Sequence, residues 1–242
     1  MQSKTNSTIN CQSILQCMRC EGVVAIPESF GLFTSDEWSR IESLAVHENM
    51  PYEAVFIGDA GEHNCVEVGR IMTDVDRPRV VNESVSRPLL EILAAPHRMA
   101  FFRELLDASV LHLRRAQINR MHVNSFIGPH VDRDSNPDYE VAVVLQLGRS
   151  FEGGDFIVHL PEGHRRVLKP DFRSTSITRC ELLHEVASVK AGQRVSLVFF
   201  LSRHPGENRR AEPADRRDLR RPGHGGAEFL PVYEPVAGHR HE

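Results

Sequence analysis

The segment from Phe126 to Asp132 (FIGPHVD) holds two side chains whose types and spacing could bind a metal. In an extended strand, residues i and i+2 point to the same face. His130 and Asp132 would therefore project together into one cavity. An imidazole and a carboxylate on one face are two thirds of a 2-His-1-carboxylate facial triad, which suits iron(II) and leaves coordination positions open. An HxD pair also arises by chance, so it does not make a site alone. Fifty-four residues later stands His184, in LLHEV, and ten residues past it comes Arg194, in QRVSLVFF. A guanidinium in so apolar a strand is costly to bury unless an anion pairs with it. Its planar fork fits a carboxylate through two parallel hydrogen bonds. Ser196, two residues on, shares the face of Arg194 and adds a hydroxyl donor, while Val195, Leu197 and Phe199 face the other way.

Strands must position these groups. From about Arg115 the chain becomes a series of short apolar or alternating runs: AQINRMHV, YEVAVVLQL, DFIVHL, RRVLKP, FRSTSIT, EVASVK and QRVSLVFFL. β-Branched residues and period-two alternation mark them as strands, with Gly, Pro, Asn and Asp between them. Many short strands suggest a sandwich or barrel, and no crossover-length helix interrupts them, which argues against a parallel sheet. A mainly β jelly roll with outer helices is expected. VVAIPESFGLF reads as a strand and a loop. Thr34 and Glu37 form a capping box for a helix that places Trp38, Ile41 and Ala45 on one face. Residues 86–95 and HRMAFFRELLDA give two more helices, with Pro88 tolerated in a first turn.

The expected organisation is a flexible segment over 1–20 and a single domain over 21–202. Helical support occupies about 34–112 and the jelly-roll core about 115–202. A flexible tail or lid follows over 203–242, where charge, Pro and Gly leave little to bury against the entropy of ordering. The 242 residues, 40% of them hydrophobic, are enough for one sizeable core. A net charge of −4 gives no electrostatic reason to expect a nucleic-acid partner. No run approaches ~18 apolar residues, so no membrane span is expected, and the polar N-terminus lacks the apolar stretch of a secretory signal. A cytoplasmic enzyme is the expectation. Cys11, Cys17, Cys20, Cys65 and Cys180 are odd in number and do not form a disulfide framework. Cys17 and Cys20 make a lone CxxC with no second pair to complete a zinc site.

The joint pattern of HxD, distal His, Arg with a following Ser, and the Gly-Gly of FEGGDF (Phe151 to Phe156) resembles the iron(II)/2-oxoglutarate-dependent dioxygenase superfamily, close to its prolyl-hydroxylase-like branch. The similarity runs from about Arg115 to Ser202 and does not extend to the first hundred residues. The resemblance implies a double-stranded β-helix, with iron(II) held by His130, Asp132 and His184. It implies that Arg194, helped by Ser196, binds the distal carboxylate of 2-oxoglutarate. O2 would be consumed, with succinate and CO2 released and an unactivated C–H bond hydroxylated, ascorbate serving as a possible reductant. Asn119, on the strand entering the site, is a candidate co-substrate contact beside a purely local role. Tyr139 is another, beside core packing. Arg133 and Asp134 flank the ligands as candidate substrate contacts, the alternative being an ion pair at the barrel mouth. His122 and His159 read as structural.

Asp132 argues against halogenases of the same scaffold, which have Gly or Ala there. The absence of HxH spacing argues against a cupin. Desaturation, cyclisation and demethylation remain open, as does a non-catalytic jelly-roll binding module. The expected substrate is a small molecule such as an amino acid or a metabolite derived from one, with a prolyl or peptidyl residue as the alternative. Both rest on family analogy.

Overall fold

The computed structural model describes residues 10–56 and 65–210. The helices are α1 (Cys11–Cys20), α2 (Ser35–Ala45), α3 (Glu83–Leu93) and α4 (Pro96–Leu105). The strands are β1 (Val23–Ile26), β2 (Tyr52–Phe56), β3 (Cys65–Asp74), β4 (Pro78–Val80), β5 (His112–Met121), β6 (Ile127–His130) and β7 (Tyr139–Gln146). They continue with β8 (Phe151–Gly153), β9 (Phe156–His159), β10 (Arg165–Leu168), β11 (Thr175–Arg179), β12 (His184–Val186), β13 (Val189–Gly192) and β14 (Arg194–Ser202). One sheet runs β1-β11-β7-β14-β5-β3-β2, with β4 on β3; a second runs β10-β9-β12-β6; β8 pairs with β13. All pairings are antiparallel. This is the expected jelly roll with outer helices.

Alternation along β14 divides the molecule. Leu197, Phe199 and Leu201 join the helical layer, where Phe102 of α4 meets Phe199 edge-on at 5.9 Å. Arg194, Ser196, Val198 and Phe200 take the opposite face, toward the second sheet. Between the sheets lies an apolar cluster including Val66, Val68, Met121, Phe156, Val158 and Val186. The functional face is therefore the inner one.

The capping box at Thr34 and Glu37 is present, and Trp38, Ile41, Leu44 and Ala45 of α2 are buried. α3 begins at Glu83, three residues before the sequence reading, so Pro88 sits inside the helix. There it forgoes the bond to the Ser84 carbonyl. Two expectations need correction. Residues 11–20 are not a loose leader: they form α1, with a capping box between Asn10 and Ser13, and with Ile14 and Met18 fully buried. Each such burial is worth about 1.5–3 kcal/mol, enough to hold a short helix against the β1 edge. The span 34–112 is not purely helical either, since β2, β3 and β4 lie within it and extend the large sheet.

Residues 203–210, assigned from sequence to a tail, are pinned. The Asn208 side chain donates to the Asp74 carbonyl at 2.8 Å, and Arg209 pairs with Asp138. The expectation for 211–242 lies outside the described residues. Among the described residues, no helix is long and apolar enough to cross a membrane.

Candidate metal centre

β12 pairs with β6 so that His184 stands directly opposite His130. Asp132 opens the short 3-10 turn just after β6. The ring Nδ1 of His130 lies 2.9 Å from the Gly128 carbonyl, and that of His184 lies 2.9 Å from the Leu182 carbonyl. A carbonyl only accepts, so both Nδ1 atoms carry protons and both Nε2 atoms present lone pairs. Those Nε2 atoms face Asp132: His130 is 3.6 Å from Oδ1, and His184 is 3.5 Å from Oδ2. One ligand atom from each residue can be chosen so that all three lie within 4.8 Å of one another. A cation with bonds near ~2.1 Å would draw them together only slightly.

The electrostatics suit a divalent cation. Burial pushes the His184 imidazole down, keeping it neutral. Burial also opposes charge on His130, but the Asp132 carboxylate beside it wins and raises it. Asp132 is raised by burial and lowered more by the two histidines, ending below the ordinary carboxylate range. The result is two imidazole donors, His184 kept neutral and His130 held toward its protonated form by Asp132 until a cation displaces that proton, with one negative charge in a largely dry site, a set that fits iron(II). Phe156 packs on the His184 ring, with centroids 5.2 Å apart, and shields one side.

Arg194 enters from β14. It is 4% exposed, and its Nη1 has only weak neighbours, Ser196 Oγ at 3.5 Å and Met121 Sδ at 3.6 Å. Its buried Nε has no partner. Burial drives the guanidinium down to about 10, with Asp155 a weaker opposing influence. It is still charged at neutral pH. Such a group fits an anionic ligand, and it borders a small cavity lined also by Gln146, Phe156, Lys169 and Ser176. The Gly-Gly turn explains how the arginine fits: at Gly154, with φ +68°, a Cβ would fall 2.7 Å from Arg194 Cδ.

Asn119 lies directly opposite Ser196 across the β5–β14 pairing, on the inner face beside Arg194. Tyr139 is brought elsewhere. It pairs with Ser202 at the far end of β14, is 1% exposed, and stacks on Phe200 at 4.7 Å. Arg133 donates from Nε to the Tyr139 carbonyl at 3.1 Å and reaches Glu181 at 3.4 Å. Asp134 closes the turn that Asp132 opens. His122 faces Glu67 at 3.2 Å and His159 faces Glu185 at 3.1 Å, each paired outside the His130–Asp132–His184 group. Two inner-face residues escaped the sequence reading, Arg115 and Gln117. Arg115 donates through Nε and Nη2 to Gln117 Oε1, at 3.1 and 2.7 Å, and Gln117 Nε2 donates to Asn119 Oδ1 at 2.7 Å. Their period-two spacing with Asn119 was the available signal.

The family described as the 2OG-Fe(II) oxygenase superfamily matches residues 116–202. A crystal structure of an oxidoreductase of the 2OG-Fe(II) oxygenase family from Burkholderia pseudomallei is 40% identical, over 84% of this chain and 96% of that one, with a TM-score of 0.80. A Pseudomonas putida prolyl-4-hydroxylase shares the fold at 15% identity, over 81% of this chain and 100% of that one, with a TM-score of 0.56. So does the non-haem α-ketoglutarate-dependent carbocyclase SnoK from nogalamycin biosynthesis, at 13% identity, over 96% and 95% of the two chains, with a TM-score of 0.66. Comparison with curated proteins gives no match.

Proposed function

The chain belongs to the 2OG-Fe(II) oxygenase superfamily, and from that premise we propose that His130, Asp132 and His184 hold its iron(II), that Arg194 and Ser196 bind the distal carboxylate of 2-oxoglutarate, and that it hydroxylates an unactivated C–H bond of a small molecule. It is a 2-oxoglutarate-dependent oxygenase, with iron(II) as its metal and 2-oxoglutarate as its co-substrate. The observation that carries the residue assignment is the pairing of an enclosed His-Asp-His cluster with a buried, uncompensated arginine on the facing sheet. When bound, iron(II) with 2-oxoglutarate and O2 supplies the oxidising equivalent for the C–H bond, and the co-substrate leaves as succinate and CO2.

The chain's own residues prepare that chemistry. The Gly128 and Leu182 carbonyls lock both imidazoles in the tautomer that offers Nε2 to the metal. Asp132 would supply one negative charge to the metal and would leave no place for a halide, which favours oxygen insertion or a related oxidation. Arg194 orients the co-substrate by a fork of parallel N–H groups, and Asn119 adds a neighbouring amide. Tyr139 serves packing in this reading, and Arg133 and Asp134 shape the mouth. The triad side chains are only 5–12% exposed, which favours a small substrate, such as an amino acid or a metabolite derived from one, over an extended peptide.

The test is succinate release from 2-oxoglutarate with iron(II), O2 and ascorbate, screened over free amino acids and their derivatives, alongside iron titration. One iron(II) per chain and substrate-stimulated succinate are expected. No 2-oxoglutarate turnover, or a His184→Ala variant with full iron occupancy and turnover, would overturn the assignment.

A further inference from the structure

The inner face of the β5–β14 pair carries a second arginine, Arg115, at the opposite end from Arg194. Phe200 is its register partner on β14, and its guanidinium carbon lies 5.7 Å from that ring's centroid. Alternation along β5 puts it on the same inner face as Gln117 and Asn119, and both Asp132 and Tyr139 feel its charge. Several arginines nearby are matched by carboxylates: Arg70 by Glu53, Arg114 by Asp74, Arg133 by Glu181 and Arg203 by Glu140; Arg120, on the same strand, instead donates to the Ala45 carbonyl and lies over the Tyr52 ring. Among the described residues Arg115 has no carboxylate within ion-pair distance; its hydrogen-bond partner is the neutral amide of Gln117.

The way that amide is used leaves a defined donor pair. Gln117 Oε1 takes the side edge of the guanidinium, formed by Nε–H and one Nη2–H. Of the five N–H groups in the rigid plane three remain, and two of them, one Nη1–H and the second Nη2–H, run parallel along the end edge. That edge matches the two oxygens of a carboxylate. With Asp132 acting on it only from beyond contact, a half-buried cation favours the arrival of an anion at that edge. Arg194, at the other end of the same face, is buried and is assigned to the co-substrate. Arg115 is thus left for a second, separate anion.

We propose that Arg115 anchors a carboxylate of the substrate, so that the enzyme acts on small carboxylic acids. The anchoring takes the end edge of the guanidinium, against the Phe200 and Tyr139 rings, and holds the remainder of the molecule toward the His130–Asp132–His184 cluster. This inference rests on the oxygenase reading and narrows its substrate class.

The test uses the full chain loaded with iron(II) and 2-oxoglutarate in the absence of O2, so that binding is read without turnover. Titration calorimetry is run with the standard amino acids, their N-acetyl derivatives and the methyl ester of each. At least one free acid should bind, with its ester weaker by about tenfold or more, the loss expected for one charged bidentate contact. Arg115→Gln should erase the difference between acid and ester, and Arg115→Lys should restore part of it. Equal binding of acids and esters to the wild type, no binding of any acid in the panel, or full acid affinity in Arg115→Gln would each overturn the proposal. The acid–ester comparison needs no variant, so a misfolded substitution does not blunt it. Titration of 2-oxoglutarate into the iron-loaded wild type separates the two readings: if it does not bind, the oxygenase site assignment has failed; if it binds and the acids do not, only Arg115 has.

Discussion

Replacing Arg194 with Met should separate the cost of the buried charge from its use. Burial brings the guanidinium down to about 10, which corresponds to about 3 kcal/mol of unfavourable desolvation as an upper bound. The charge is present in folded and unfolded chains at every pH below about 10, so the penalty is constant across neutral pH and fades only above that value. Without 2-oxoglutarate, Arg194→Met should therefore melt a few degrees higher than the wild type, at roughly 2–4 °C per kcal/mol for a domain of this size. The gain should be the same at pH 6 and pH 8. With 2-oxoglutarate the order should reverse. Losing one partner of a buried charge pair costs about 2–5 kcal/mol, or roughly 30-fold to a few thousand-fold in affinity. Arg194→Lys should fall between, because a point charge cannot reproduce the fork. Scanning calorimetry with and without co-substrate, together with direct 2-oxoglutarate titration, reads both halves. A variant that melts lower in both conditions, or binds 2-oxoglutarate within about threefold of wild type, would refute the reasoning.

His130→Ala or His184→Ala should abolish tight iron(II) binding in a metal titration. In the wild type that affinity should fall as pH drops through the His130 value, raised by Asp132 above the ordinary imidazole range, because the proton and the metal compete for the same Nε2. Gly154→Ala should lose both stability and 2-oxoglutarate affinity, since its Cβ would collide with Arg194 Cδ at 2.7 Å. Gly31→Ala, at φ +79° with nothing within 4 Å, should cost only about 1 kcal/mol of backbone strain and leave the co-substrate titration unchanged. Deleting residues 211–242 should leave the melting temperature within a degree or two of the full chain, given how little that segment can bury. Deleting 203–242 should lower it clearly, because the Asn208–Asp74 and Arg209–Asp138 contacts go with it.

The site was legible wherever function depends on period two or on a fixed interval along the chain. His130 and Asp132 meet because the backbone stays extended through Val131, although the strand ends at His130 and Asp132 opens a 3-10 turn, and Arg194 stands out as a cation in an apolar run. What escaped depends on pairing between distant strands. Tyr139 follows the ligand loop closely in sequence, yet its partner is Ser202, eight residues along β14 from Arg194. Local pattern carries no information about that register. Arg115 and Gln117 are hidden differently: they are polar residues at the start of the strand run, and the chain of hydrogen bonds from Arg115 through Gln117 to Asn119 shows that they share its inner face. α1 was missed because Asn10 caps it with Ser13 at the third position rather than an acidic residue. β3 was hidden because its period two breaks within the strand: Val66 and Val68 face one cluster, Ile71 the other, with Gly69 and a register shift between Arg70 and Met72.

β6 is an edge strand of the smaller sheet, with β12 its only neighbour there among the described residues. On the proposed ligand set, the metal would rivet that edge to β12 through His130 and His184 and would close the loop of 53 residues between them. Withdrawing the metal would do more than stop turnover. The amides of β6 should exchange with solvent ahead of those in β5 and β14, as an unfastened edge opens locally. A frayed edge also presents unpaired N–H and C=O groups to other molecules. Chelated protein should therefore self-associate on storage, and restoring iron(II) should suppress it.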